Sequence, residues 1–266
     1  MEKPHIVGIC LLYNEDVFVH RMLTNIHAFC DRIIVADNKS TDKTPEIVKQ
    51  FCSQGSKVEY HRIDKLGESH DLISPLAGTP AWIFGVDGDE IYDPSGLKTL
   101  RGQIKSGIYN DYFRIMGNVF NCVEIDEAKR VARGYLAPPC RSMTKLYNFG
   151  SLEAWEGPCS ERLHGGNVIY KAGYGYEKSC DLHLTNTWED SLFRCLHTVF
   201  LNRSSKENKN MTGGRLNVAD TASLGIIGQI KRILLSLFGK SMPSNYKKEK
   251  YMRGEFLEKD ISAFLT

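Results

Sequence analysis

The apolar positions of the first hundred residues fall into a repeated alternation of two patterns. His5 to Leu12 is an almost unbroken apolar run, the mark of a strand buried on both faces. Asp16 to Phe29 then carries Val17, Val19, Met22, Leu23, Ile26 and Phe29 near helical spacing. Arg32 to Ala36 is a second strand and Lys57 to Arg62 a third. Between them Thr41 to Cys52 reads as a helix, with Thr41 or Asp42 as its cap and Pro45 in its first turn. Gly67 to Gly78 predicts a short helix and Trp82 to Val86 a fourth strand. Repeated strand-helix units of this kind predict an α/β fold built on an open, mostly parallel sheet with right-handed crossovers.

The pattern changes after Pro94. Leu97 to Ile104 reads as a helix, Asp111 to Val123 as strand, and Lys145 to Tyr147 as a short strand in a turn-rich stretch from Val131 to Gly166. Asp190 to Asn202 is expected to be helical. Ser204 to Asn217 is polar and glycine-containing, so a mobile loop is expected there. Ala222 to Phe238 follows as an amphipathic helix, with Leu224, Ile227, Ile230, Leu234, Leu237 and Phe238 along one side.

Charge sharpens this division. The 266-residue chain has a net charge of only +2, from 34 basic and 32 acidic residues, so bulk charge does not point to nucleic acid. From Arg203 to Arg253, however, eleven Lys/Arg face three Asp/Glu, an excess of eight. That suits an anionic partner, such as a membrane surface met by the 222–238 helix, or a solvated basic face with the helix covering the core or joining a homodimer. The eight cysteines form no CxxC pair and several lie in apolar runs, as expected of reduced core residues in a cytosolic protein. No signal peptide is expected at the N-terminus, and no apolar stretch reaches the ~20 residues that span a bilayer.

The chemistry gathers at strand ends. The fourth strand runs into Asp87-Gly88-Asp89-Glu90, the second into Asp37-Asn38-Lys39-Ser40-Thr41-Asp42, and the first into Tyr13-Asn14-Glu15. Carboxylates at the C-terminal edge of a parallel sheet stand where α/β proteins bind ligands. Two of them two residues apart can grip one hard cation shared with substrate phosphates. A plain turn is the structural alternative. A calcium loop is excluded, because it would need an oxygen ligand at Ile91 and glycine at Tyr92.

These three segments, in order and spacing, resemble glycosyltransferase family 2, of GT-A fold. The resemblance is firm over about residues 5 to 100. It implies a nucleotide-sugar site that takes in Leu12, Tyr13, Glu15, Asp37, Asn38, His70, Asp87 and Gly88. It also implies a divalent cation, Mg²⁺ or Mn²⁺, held by Asp87 and Asp89. Trp155-Glu156-Gly157-Pro158-Cys159-Ser160-Glu161 is similar to a stretch of the branch that modifies bacterial surface sugars, which makes Glu161 the implied base. Cys180-Asp181-Leu182-His183-Leu184 resembles a later strand of that branch, which makes His183 a further metal ligand. Ser160 stands where the branch has His, and His70-Asp71 where it has an Arg-Asn pair.

The resemblance thus implies an inverting, metal-dependent glycosyltransferase acting on a glycan or glycolipid acceptor, cytoplasmic or peripheral at the inner face of the cell membrane. Residues 1–203 would be the catalytic domain, with a nucleotide-sugar half over about 1–100 and an acceptor half over about 101–203. Residues 204–266 would add the loop and a basic helical extension. A nucleotidyltransferase of similar sheet architecture is one rival, though Tyr13-Asn14-Glu15 lacks its glycine-rich basic loop. A non-catalytic nucleotide- or membrane-binding protein that keeps the fold is another. For Glu161 the structural alternative is a surface ion pair with Arg162, and for His183 a satisfied strand histidine.

Overall fold

A computed structural model describes residues 4–53, 57–139, 145–206 and 250–265. The first four strands form as the apolar runs dictate: β1 (His5–Leu12), β2 (Arg32–Asp37), β3 (Val58–Arg62) and β4 (Ala81–Asp87). All pair in parallel, with β1 between β2 and β4. They are linked by α1 (Val19–His27), α2 (Thr44–Ser53) and α3 (Glu68–Asp71). The Asp42 carboxylate accepts the Thr44 N–H at 2.9 Å where α2 begins.

Three more strands extend this sheet beyond β4: β6 (Arg114–Met116), β9 (Lys145–Asn148) and β12 (Ser179–Asp181). The order across the sheet is β12-β6-β9-β4-β1-β2-β3, and β9 alone runs antiparallel to its neighbours. Alternate residues of the central strands serve two cores. Cys10, Leu12, Val35, Phe84 and Val86 pack with Met22, Leu23 and Ile26 of α1 and with Leu97 and Leu100 of α4 (Pro94–Lys105). Val7, Ile9, Ile34 and Ile83 pack on the other face with Trp155 and Leu163 of a two-stranded hairpin. That hairpin is β10 (Leu152–Glu161) with β11 (His164–Tyr170). Burial on both faces explains why these strands read as continuous apolar runs.

A second sheet has the order β14-β8-β7-β13-β5. Its strands are β5 (Glu90–Tyr92), β7 (Asn118–Asp126), β8 (Val131–Ala137), β13 (Arg194–His197) and β14 (Phe256–Asp260). Because β5 starts three residues after β4 ends, Gly88 and Asp89 are the joint between the two sheets.

Two expectations are corrected here. Residues 190–202 are not a helix; they contain β13, paired with β7 on one side and β5 on the other. Cys195 faces the first core and Leu196 a third core with Ile91 and Phe120, so pairing and two-sided burial override the local helical spacing. Residues 256–260, assigned to a helical extension, are strand β14 against β8. Behind it Ile261 and Phe264 are buried, and Phe264 stacks on Trp188 at 5.7 Å. The end of the chain therefore completes the second sheet. The helix expected at 222–238, and the loop beyond Lys206, lie outside the described residues. The seven described cysteines are free. Among the described residues no helix is long and apolar enough to cross a membrane.

Candidate active site

Strand direction places the ends of β1, β2, β3, β4, β6 and β12, and the start of β9, along one edge of the first sheet. Along that edge stand Leu12, Asp37, Arg62, Asp87, Met116, Asp181 and Lys145. The β1–β3 side forms a polar rim, and β4 lies at the middle.

The rim is held by the loops after β1 and β2. Asn14, in the left-handed region at φ 51°, accepts the N–H groups of Thr41 at 2.7 Å and Asp42 at 3.3 Å. In return Ser40 Oγ accepts the Asn14 N–H at 2.8 Å and Thr44 Oγ1 accepts the Glu15 N–H at 2.7 Å. The Ser-Thr-Asp run thus clasps Tyr13-Asn14-Glu15 in place. Tyr13 is left exposed on this rim, while Leu12 is buried and faces the first core. Asp37 is also buried. Its carboxylate accepts the Ser40 N–H at 3.1 Å and the Tyr60 hydroxyl at 2.7 Å, and Asn38 N–H donates to the Leu12 carbonyl. Burial and the Asp37 bond push the Tyr60 hydroxyl up to about 12, so it remains a donor.

At the joint between the sheets, a Cβ on Gly88 would lie 2.5 Å from Glu15 Cγ and 2.8 Å from Leu12 Cδ2. Glycine there lets the Glu15 side chain approach the Asp87–Asp89 turn. Asp87 pairs with Arg162 and has Lys145 Nζ at 3.7 Å. Burial opposes its ionisation, but Arg162 and Lys145 hold the carboxyl well below the usual carboxylate range. Glu90 goes the other way. Burial, then the Asp87 charge, raises its pKa, and its Oε2 accepts the Asp87 N–H at 3.0 Å and the Tyr92 hydroxyl at 3.1 Å.

Asp89 is buried. Its Oδ2 lies 2.5 Å from Arg203 Nη1 and 3.5 Å from His197 Nε2, and its carbonyl accepts the Thr198 N–H at 2.8 Å. The other ring nitrogen of His197, Nδ1, is 2.8 Å from Asn121 Oδ1. With the amide oxygen as acceptor, a neutral ring would donate from Nδ1 and turn Nε2 towards the Asp89 carboxylate. That is how a metal-ligating histidine is usually oriented. Asp89 and His197 are therefore the residues that would hold a Mg²⁺ or Mn²⁺ ion, with substrate phosphate and water completing its ligands. A cage of three or more protein ligands is absent among the described residues.

Glu161 ends β10, half-buried, with His164 Nε2 at 3.3 Å. The pairing with Arg162 is not at the surface: Arg162 is buried and feels the Glu161 charge, its guanidinium donates to Asp87, and its backbone N–H donates to Ser69 Oγ of α3 at 2.9 Å. The base candidate is thus moored one residue from the guanidinium that holds Asp87.

Other expected residues fall elsewhere. His183 is not on a strand. It sits in α5 (Leu182–Thr185) after β12, which is three strands from β4, roughly 14 Å at normal strand spacing. The histidine that meets Asp89 is His197. His70 is buried with its ring edge against Trp155 at 5.4 Å, and burial lowers its pKa. Sequence reasoning missed His197, Asn121 and Arg203 as site residues, and read Arg162 only as a surface partner. Reading 190–202 as a helix hid the fact that His197 ends a strand.

Residues 9–125 match the family model of glycosyl transferase family 2. The resemblance carried by the strand-end motifs holds over β1 to β7, the stretch that supplies the rim and both aspartates. No curated protein matches. Among solved structures, S. aureus TarS 1-349 is similar at 15% identity and a TM-score of 0.42, over 73% of this chain and 60% of that one. Glucosyl-3-phosphoglycerate synthase from Mycobacterium tuberculosis, in complex with Mn²⁺, UDP-glucose and glycerol 3-phosphate, is similar at 16% identity and a TM-score of 0.42, over 90% and 82%. The mannosyltransferase PcManGT from Pyrobaculum calidifontis, in complex with GDP-Man and Mn²⁺, is similar at 20% identity and a TM-score of 0.33, over 47% and 36%. In the complex of TarS 1-349 with UDP, the matched region spans 36% of that chain.

Proposed function

We propose that the protein is an inverting glycosyltransferase that moves a sugar from a nucleotide-sugar donor to a glycan or glycolipid acceptor, with a divalent cation at Asp89 and His197. The observation that carries this reading is the joint between the sheets. There a buried aspartate faces a histidine whose far nitrogen is fixed by an amide, and a glutamate stands next to the arginine that grips the first aspartate.

The rim of Tyr13, Asn38 and the Ser40–Asp42 loop would receive the nucleoside, with Asp37 fixing the loop from below. Leu12 and Gly88 would contribute backbone and close approach rather than side-chain chemistry. Asp87, kept ionised, would accept a ribose hydroxyl. Glu161 would take the proton of the acceptor hydroxyl, whose oxygen attacks the anomeric carbon from the face opposite the diphosphate. The bond to the diphosphate oxygen breaks with its electron pair, and the configuration inverts. The bound cation would neutralise charge on the departing diphosphate. The basic excess between Arg203 and Arg253 supports an acceptor at an anionic membrane surface.

The test is a panel of UDP-, GDP- and other nucleotide sugars, with release of nucleoside diphosphate measured in Mn²⁺, Mg²⁺ and EDTA. One donor class should turn over, in the presence of cation only. Turnover that ignores EDTA, or no turnover and no nucleotide binding with any donor, would overturn the reading. The anomeric configuration of the product, read by NMR, tests inversion.

A further inference from the structure

The four residues after β13 and its following turn form a strap. Arg203 accepts the Val17 N–H on its carbonyl at 3.1 Å. Ser204 Oγ donates to Asp42 at 2.6 Å, and Ser205 donates to Asp16 through its N–H at 2.7 Å and its hydroxyl at 2.5 Å. Lys206 Nζ donates to the Thr41 carbonyl. Every one of these ties lands on the loops that follow β1 and β2, the two sides of the clasp around Asn14. The strap carries the Arg203 guanidinium to a fixed place, 2.5 Å from Asp89 Oδ2 and 3.5 Å from Glu15 Oε1. Its side chain is only 13% exposed, so water screens this pairing little.

Asp89 cannot serve two cations at one oxygen without cost. A divalent ion entering between Asp89 and His197 meets a guanidinium already on the carboxylate, and unlike charges held close in a partly buried site are not given up freely. We propose that Arg203 is an internal competitor for the cation site: it neutralises Asp89 and Glu15 before a donor binds, and must leave Asp89 for Mg²⁺ or Mn²⁺ to bind. The inference rests on the metal reading above and adds a consequence. The fraction of molecules with Arg203 on Asp89 is not competent for cation, so the apparent cation affinity is lowered by that fraction. Once displaced, Arg203 remains tethered at the rim, where its charge favours an anionic diphosphate. Cation and nucleotide then promote each other's binding.

The test uses the full chain and Mn²⁺ alone, with free Mn²⁺ read by electron paramagnetic resonance. Arg203→Gln should bind Mn²⁺ about tenfold more tightly than wild type, and Arg203→Lys close to wild type. Ser204→Ala, which loosens the strap and leaves Arg203 in place, should shift affinity the same way by a smaller factor. In a second arm, UDP or GDP titrated with and without Mn²⁺ should show coupling that falls in Arg203→Gln. Equal or weaker Mn²⁺ binding by Arg203→Gln, with wild-type binding intact, would overturn the competitor role and leave the metal reading standing. If Arg203→Gln fails to fold, unchanged affinity in Ser204→Ala overturns it instead. If neither wild type nor variants bind Mn²⁺, both the competitor and the metal reading fall.

Discussion

The first sheet has an aspartate among cations at each of its two edges, and the two clusters are built to different ends. At the N-terminal edge Asp31 meets Arg101 at 2.5 Å and Lys105 at 2.7 Å, both from α4, and accepts the Ile6 N–H at 2.8 Å. Lys105 also donates to the Pro4 carbonyl and Arg101 to the Phe29 carbonyl. One acid faces two cations, and together the contacts tie α4 to the segment before β2 and to the start of β1. At the C-terminal edge four carboxylates, those of Glu15, Asp87, Asp89 and Glu90, share three permanent cations, Lys145, Arg162 and Arg203. Those cations come from β9, from the turn after β10 and from the strap. One edge is closed electrostatically. The other has one more carboxylate than permanent cation and is held by remote segments; there burial, and then the Asp87 charge, raises the pKa of Glu90. Surplus acid at a strand end is a place for an added cation, and it is costly to keep without one.

The largest effect should come from Asp89. Asp89→Asn keeps the shape of the joint but weakens its grip on a cation. Donor turnover should fall by about 10³-fold or more, the scale of several kcal/mol of charge stabilisation. Thermal stability should also fall, because Asn leaves the Arg203 guanidinium without its carboxylate, offset in part by relief of repulsion with Asp87. Added Mn²⁺ should raise the melting temperature of wild type and not of the variant; a wild type that Mn²⁺ leaves unchanged would make the C-terminal edge a structural cluster like the other. Next comes Glu161→Gln, which should lower turnover by about 10²–10³-fold with donor binding intact. Wild-type turnover would move the base elsewhere, with Asp181 or Glu156 next to test.

A third variant sharpens the comparison through the backbone. Gly88→Ala puts a Cβ into Glu15 and Leu12 at the joint. The clash should cost about 1–3 kcal/mol in denaturant unfolding, as overpacking does, and should weaken nucleotide binding as Glu15 is pushed aside. Stability and binding both equal to wild type would mean that the turn yields freely.

These residues also mark how much of the fold and the site is legible in the sequence. The four parallel strands and the acidic ends of three of them were legible, because burial on both faces leaves a continuous apolar run and a strand end leaves an abrupt polar one. The Ser40-Thr41-Asp42 motif was legible as a motif, but not as the clasp that holds Asn14. The far half was harder. Cys195 and Leu196 face two different cores, so β13 carries no alternation and its apolar spacing imitates a helix. The helical reading hid the strand that His197 ends, while His183 was expected in the site from the resemblance of residues 180–184 alone. Phe256 to Asp260 does alternate, but it is a short edge strand whose partner, β8, lies more than a hundred residues earlier. Arg162 and Arg203 reach their aspartates across 75 and 114 positions, and no local pattern encodes such a pairing.

The smallest effect belongs to Asp31, and it is the one that pH can isolate. Burial works against its charge, but hydrogen bonds from Arg101, Lys105 and the Ile6 N–H outweigh it and hold its pKa below the usual range. A carboxyl whose pKa is lower folded than unfolded binds fewer protons in the folded state. Its stabilisation is therefore fully present above the unfolded value, about 3.9, and is lost as pH falls below that value towards the folded one. Asp31→Asn should cost about 1–2 kcal/mol at pH 7, discounted because the side chain is about a quarter exposed. The difference from wild type should hold down to about pH 5 and shrink below about pH 4. Donor turnover at pH 7 should be unchanged, since the cluster stands at the opposite edge from Asp89. Urea unfolding of both proteins at several pH values, alongside the turnover assay, checks each part. A stability gap that does not narrow in acid would mean that Asp31 acts through shape and not charge. A loss of turnover would mean that the two edges are coupled through β1.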